Sequence, residues 1–142
     1  MNFLLDTNVV SEWVRTRPET TVVRWLAEVD EDRVCLSVIT FAEIRRGIEE
    51  MTAGRHREAL RSWLQNELPA RFEGRILGVD RAVAETWGAM MATSGKLGVN
   101  LNAMDAFFAA TTATHGLTLV TRNTKHFEKL GISLLNPWGD TH

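Results

Sequence analysis

Three carboxylates, Asp6, Glu43 and Asp105, stand where an acid is able to do chemistry. Asp6 closes the apolar run Phe3-Leu4-Leu5, Glu43 comes early in the stretch after Val34-Cys35-Leu36-Ser37, and Asp105 follows Leu101-Asn102-Ala103-Met104. If one edge of a fold gathers them, their repulsion raises at least one pKa unless a cation neutralises it. Carboxylate oxygens alone select a hard ion, Mg2+ or Mn2+, and no Cys/His spacing suggests zinc. Each acid also has a local explanation. Asp6 suits the N-cap of a helix beginning near Asn8, Thr40-x-x-Glu43 reads as a capping box, and Asp105 falls in the first turn after an Asn102 cap, where the helix dipole favours an acid. What singles them out together is their common position at a strand end or a helix start.

Side-chain periodicity refines the choice. Glu43 points away from the face shared by Phe41, Ile44 and Ile48, and Asp105 borders the stripe of Leu101, Met104 and Phe108. Asp80 also follows a strand and precedes a long helix, and reads as an N-cap. Thr121-Arg122-Asn123 follows a later strand and either faces the same cleft or lets Asn123 cap the next turn. Arg45, Arg46 and Arg122 neighbour these positions and suit phosphate, with a solvated surface role as the alternative and the better one for Arg45. Trp13, Trp25, Trp63, Trp87 and Trp138 read mostly as core or interface residues rather than base-stacking ones, because four of them fall in amphipathic stretches. His115 and His126 read as ordinary capping or surface residues.

The elements that must position these groups alternate between brief apolar runs and longer amphipathic stretches, the pattern of an α/β domain around a largely parallel sheet. Strands are predicted at Asn2–Leu5, Val34–Ser37, Arg75–Val79, Thr118–Thr121 and Ile132–Leu135. Helices are predicted over Asn8–Arg15, Thr20–Val29, Phe41–Met51, Arg55–Leu68, Arg81–Leu97 and Ala103–Thr114, with a turn near Thr124–Lys129. Gly116 is placed as a C-terminal cap, and Pro18, Pro69 and Pro137 fall outside the predicted helix interiors. In an open α/β sheet the ligand site lies outside the carboxyl ends of the strands.

A chain of 142 residues, 44% hydrophobic and 24% charged, suits one domain with one compact fold over residues 1–142. The net charge of −2 is not that of a bulk nucleic-acid binder, so any basic patch must be local. Arginine dominates the cations, 13 against 3 lysines, and its planar fork is the better bidentate phosphate ligand. Cys35 has no partner for an internal disulfide and reads as a core residue, which fits a reducing cytoplasm. The start of the chain reaches an acid before any signal-like apolar region forms, and no apolar run approaches the roughly 18 residues of a membrane span.

The segments Leu4-Leu5-Asp6-Thr7-Asn8, Ser37-Val38-Ile39-Thr40-x-Ala42-Glu43-Ile44-x-x-Gly47, Asp105-Ala106-x-x-Ala109-Ala110 and Thr121-Arg122-Asn123-x-x-x-Phe127, with the closing Asn136-Pro137-Trp138, follow one another in a familiar order. In these the chain resembles the VapC-type toxins of the PIN-domain superfamily, in the FitB-like branch. The resemblance implies a three-layer α/β/α sandwich with a central, mainly parallel five-stranded sheet. It also implies an endoribonuclease that cuts tRNA or other structured RNA with a water activated by Mg2+ or Mn2+, leaving 5′-phosphate and 3′-hydroxyl ends. It carries metal binding and catalysis onto Asp6, Glu43 and Asp105, site-lining positions onto Thr7, Thr121 and Asn123, and partners in the form of a cognate VapB-type antitoxin and a second copy of the chain. Arg46 and Arg122 are then the candidates for RNA contact. Many relatives have a fourth acid where this chain has Asn123, which supplies an oxygen but no charge and leaves any second metal weak or dependent on substrate. The competing reading is a non-catalytic PIN-like module that binds nucleic acid or antitoxin. Receiver domains and haloacid-dehalogenase-type phosphotransferases both need a second acid near Asp6, and Asp6-Thr7-Asn8 lacks it.

Overall fold

Every strand is short, two to four residues, and the one over Val34–Ser37 is buried throughout. In the computed structural model, which describes residues 2–139, β1 is Phe3–Leu5, β2 Val34–Ser37, β3 Ile76–Leu77, β4 Thr118–Val120 and β5 Ser133–Leu135. They pair in the order β3-β2-β1-β4-β5, all parallel, with Phe3 opposite both Val34 and Thr118. The helices are α1 Thr7–Val10, α2 Thr20–Glu28, α3 Val38–Glu49, α4 Arg55–Ser62, α5 Leu68–Arg71, α6 Arg81–Lys96, α7 Ala103–His115 and α8 Thr124–Phe127.

Successive residues of a strand point to opposite faces, and here that alternation builds two cores. Leu5, Val34, Leu36 and Val120 face Val9 and Val10 of α1, Val22 and Leu26 of α2, Ile48 of α3, Leu68 of α5 and Phe72. Leu4, Cys35 and Leu119 face Phe108 and Ala109 of α7 and Phe127 of α8, with Met90 of α6 packed against them. The result is the expected α/β/α sandwich, and burial on both faces explains why the strands read as unbroken apolar runs. Cys35 is fully buried with its Sγ 3.3 Å from the Phe3 carbonyl oxygen, and burial pushes its thiol up to about 11, as befits an inert core residue.

The chain lays down β1, β2 and β3 in one direction, then returns through α6 and α7 to place β4 on the other side of β1. The strand order therefore reverses between β1 and β4, and a crevice opens at their carboxyl ends. Asp80, Asn102 and Gly116 cap as predicted: Asp80 Oδ1 accepts from Val83 N–H at 2.9 Å, Asn102 Oδ1 from Met104 N–H at 2.8 Å, and Gly116 adopts the left-handed conformation at φ 62°.

Three expectations are corrected. Helix α3 begins at Val38 rather than Phe41, because Ser37 ends β2 and caps the helix at once, its Oγ accepting from Ile39 N–H at 3.0 Å. Thr40 thus lies inside the helix, and Thr40 and Glu43 form no capping box. The helix expected over Arg55–Leu68 changes to a π turn over Trp63–Glu67 and runs on through Pro69 as α5. Proline lacks an N–H and its ring clashes with the carbonyl four residues back. The Leu68 N–H bonds to Trp63 five residues back, which shifts the ladder just before Pro69 and carries the helix across it. The third strand holds only Ile76–Leu77, an edge position where pairing comes from one side.

Candidate functional site

The site begins where β1 ends. The Asp6 N–H donates to Val120 O at 2.8 Å, the last link between the two strands, and the chain then turns at once into α1. Asp6 caps α1 by accepting from Thr7 N–H at 2.8 Å through Oδ1, so the local reading of Asp6 is correct as far as it goes. Its other oxygen does more. Oδ2 accepts from the Thr121 hydroxyl at 2.7 Å, across 115 residues of sequence, and from the Asn8 amide at 3.3 Å. Thr121, fully buried at the end of β4, in turn accepts from Asn123 N–H at 3.0 Å, which fixes the loop into α8. The Asn123 side chain makes no capping bond to α8, against one of the two roles open to it.

Glu43 reaches the same edge from α3. Its Oε1 accepts from the Thr7 hydroxyl at 2.6 Å, and Thr7 Oγ1 also lies 3.2 Å from Thr40 Oγ1. Thr7 therefore links Asp6, through its backbone, to Glu43, through its side chain. Asp105 enters from the first turn of α7, with 22% of its side chain exposed, and its Oδ2 lies 3.3 Å from His126 Nδ1 of α8. That contact makes His126, which is exposed at the surface as expected, a neighbour of Asp105 as well. No local signal marked it, because it depends on how α8 packs beside α7.

Electrostatics set Asp6 apart. With 5% of its surface exposed, its carboxyl is pushed up from the ordinary 3.8 to about 6, chiefly because burial penalises the charged form. The bonds from Thr121 and Thr7 pull the other way, and the charges of Asp105 and Glu43 push it further up. Asp6 thus feels both other acids, although among the described residues no group of three or more His, Cys, Asp or Glu side chains is placed to hold a metal ion as it stands. A buried carboxylate with two further acids in its field and no cationic hydrogen-bond partner among the described residues matches the donor chemistry of a hard divalent cation.

Grooves run away from this centre. One of 660 Å3 passes from Thr7 and Glu43 along Ile44 and Ile48 to Trp63, with Arg15 and Arg17 on its rim. Another, of 340 Å3, lies between Glu43, Arg46 and Met104, so Arg46 borders the acids even though it also pairs with Glu50 at 2.8 Å. Arg45 points into a different network, bonding Glu49 at 2.9 Å. The backbone N–H of Arg122 donates to Asn8 Oδ1 at 3.4 Å, which puts Arg122 at the mouth of the site. Of the tryptophans, Trp13, Trp25, Trp63 and Trp138 pack against the first core, and Trp87 stacks on Phe107 at 5.0 Å.

The chain is similar to known proteins over almost its whole length. The PIN domain model matches residues 3–132. Over 137 residues the chain is 37% identical to Toxin FitB of Neisseria gonorrhoeae, spanning 96% of this chain and 99% of that protein. It is 34% identical over 135 residues to VapC ribonuclease Y4jK of Sinorhizobium fredii, spanning 95% and 96% respectively. Among solved structures, FitAcB from Neisseria gonorrhoeae superposes with a TM-score of 0.90 at 37% identity, covering 96% of this chain and 98% of that one.

Proposed function

The chain belongs to the PIN-domain family, and from that premise we propose that it is a metal-dependent endoribonuclease acting as the toxin of a type II toxin-antitoxin pair. The observation that carries the proposal is Asp6: a buried carboxylate raised to about 6, with Asp105 and Glu43 adding to its repulsion. The ribonuclease and toxin names of two relatives that match nearly end to end support the same reading.

Asp6, Glu43 and Asp105 would hold Mg2+ or Mn2+. When bound, such an ion lowers the pKa of an attacking water and offsets charge on the scissile phosphate. The protein's own groups prepare the site. Thr121 and Asn8 fix one oxygen of Asp6, and Thr7 fixes Glu43. Each bond removes rotational freedom from a carboxylate, so Asp6 and Glu43 have less freedom left to lose when an ion binds. Asn123 adds a neutral amide near Thr121 and no fourth charge. Arg46 and Arg122 flank the acids and contact the RNA strand.

In this reading an antitoxin segment lies in the 660 Å3 groove beside Glu43 and blocks the acids, and a second copy of the chain completes the assembly. Among the described residues no helix is long and apolar enough to cross a membrane. The reading places the protein in the cytoplasm with its RNA.

The test is cleavage of structured RNA, tRNA included, by purified protein with Mg2+ or Mn2+, with EDTA and Asp6→Asn as controls. Metal-dependent cleavage lost in Asp6→Asn is expected. Cleavage in EDTA, or full activity of the variant, would overturn the mechanism. RNA affinity without cleavage would reassign the chain to a non-catalytic binding module.

A further inference from the structure

A second cavity, of 400 Å3, opens between Glu19, Arg122, Asn123, Asn136 and Trp138. Its volume lies in the range of about 300–1,000 Å3 that holds small organic ligands. Its aromatic wall is Trp138, half-buried against the core, with the Arg122 guanidinium carbon 5.3 Å from the ring centroid. The wall is held in place: Asn136 Oδ1 accepts from Trp138 N–H at 2.9 Å, and Gly139 N–H bonds back to Asn136 O at 3.1 Å. The Glu19 backbone is anchored as well, its N–H donating at 2.9 Å to Glu12, which is 1% exposed. The cavity also adjoins the acids. Arg122 N–H donates to Asn8, Asn123 N–H to Thr121 Oγ1, and both Asn8 and Thr121 donate to Asp6 Oδ2.

An indole with a guanidinium over it is a stacking platform for a planar base. The remaining walls decide which base. Glu19 lines the cavity, and a carboxylate there repels phosphate and accepts only from donors. Guanine alone offers two adjacent donors, N1–H and the 2-amino group, on its Watson–Crick edge, and its opposite edge carries the O6 and N7 acceptors that amide donors such as those of asparagine read. Adenine and cytosine would turn a ring-nitrogen lone pair towards Glu19. Uracil offers a single N–H between two carbonyls. We propose that the cavity of Glu19, Arg122, Asn123 and Trp138 is a guanine subsite, holding a base next to the scissile phosphate. The proposal rests on the ribonuclease reading and adds a base preference to it.

The test separates the two claims by measuring binding in EDTA, where no cleavage occurs. Fluorescence anisotropy of labelled UUGUU and UUAUU is expected to show about tenfold tighter binding of the guanosine oligomer. Glu19→Gln, a change at an exposed position, is expected to reduce that ratio towards one, with unchanged melting temperature as the folding control. Arg122→Ala is expected to weaken both oligomers. Equal binding of the two oligomers, or an unchanged ratio in Glu19→Gln, overturns the guanine subsite even if the protein cleaves RNA. Guanosine-selective binding without metal-dependent cleavage would uphold the subsite and overturn the nuclease reading.

Discussion

Asp6 and Glu49 are both acids held by several hydrogen bonds, and they are treated in opposite ways. Glu49, exposed at the end of α3, collects Arg45 at 2.9 Å, Arg57 at 3.1 Å and Arg61 at 3.2 Å. Its carboxyl is held below the ordinary carboxylate value, first by the bond from Arg45. Asp6 is almost sealed from water, yet its partners Thr121, Thr7 and Asn8 are all neutral, and its carboxyl rises to about 6. A chain with 13 arginines sends three to an acid that solvent would have stabilised anyway. None of the described ones bonds the acid that solvent cannot reach. At Glu49 the protein supplies the counter-charge itself, and at Asp6 it supplies none, which under the proposed metal-dependent mechanism leaves that place for an outside cation.

The sharpest way to break this contrast is to remove the charge on Asp6. Changes to groups that merely orient metal ligands cost about 10–100-fold in activity, so Asp6→Asn is expected to exceed the upper end of that range in an RNA-cleavage assay. The same variant should gain stability. The rise from 3.8 to about 6 corresponds to on the order of 3 kcal/mol at 1.36 kcal/mol per pKa unit. Because the folded-state pKa of Asp6 is the higher one, protonation supports the fold fully below about 3.8, and that support fades as pH rises and is gone above about 6. An asparagine stands in for the protonated acid. Chemical denaturation without metal should therefore show Asp6→Asn more stable than the parent at pH 8 and equal to it near pH 4. Equal stability at both pH values would remove the strain assigned to Asp6. Adding Mg2+ or Mn2+ at pH 8 should close the gap by stabilising the parent alone, by about 2.7 kcal/mol at one hundred times Kd.

A smaller effect is expected from Thr121→Val, which keeps the shape of a fully buried side chain and deletes the donor to Asp6. Cleavage should fall by about 10–100-fold. Its pH profile should shift upward as well, since the lost bond is one that lowers the Asp6 pKa. A fall in rate with no shift would make Thr121 a packing residue only. The smallest effect belongs to Glu49→Gln. Cleavage should be unchanged and melting temperature slightly lower in low salt, a difference that high salt erases by screening.

Much of this was legible in the sequence for a physical reason. Strands buried on both faces leave apolar runs that hydropathy alone finds, and Asp80, Asn102 and Gly116 cap by rules local to a few residues. What escaped depends on the third dimension. Ser37 is at once the last residue of β2 and the cap of α3, so the spacing of Thr40 and Glu43 imitates a capping box that does not form. The Pro69 crossing needs a π turn that periodicity does not announce. Asp6, Glu43 and Asp105 could each be found, but the bonding that holds Asp6 and Glu43 at one edge could not. It runs through a Thr7 hydroxyl to α3 and a Thr121 hydroxyl from β4, and spacing along the chain encodes neither reach.

The backbone bond from Asp6 to Val120 has a further consequence in time. Asp6 follows β1 with no intervening loop and is bonded to β4, and core strands of a domain open only at free energies that approach those of global unfolding. The acid at the centre of the site is thus set by the slowest motion in the protein, and no local hinge can move it away while the fold persists. Under the proposed nuclease function Asp6 is in position from the moment the chain folds, so restraint falls to whatever covers the surrounding grooves.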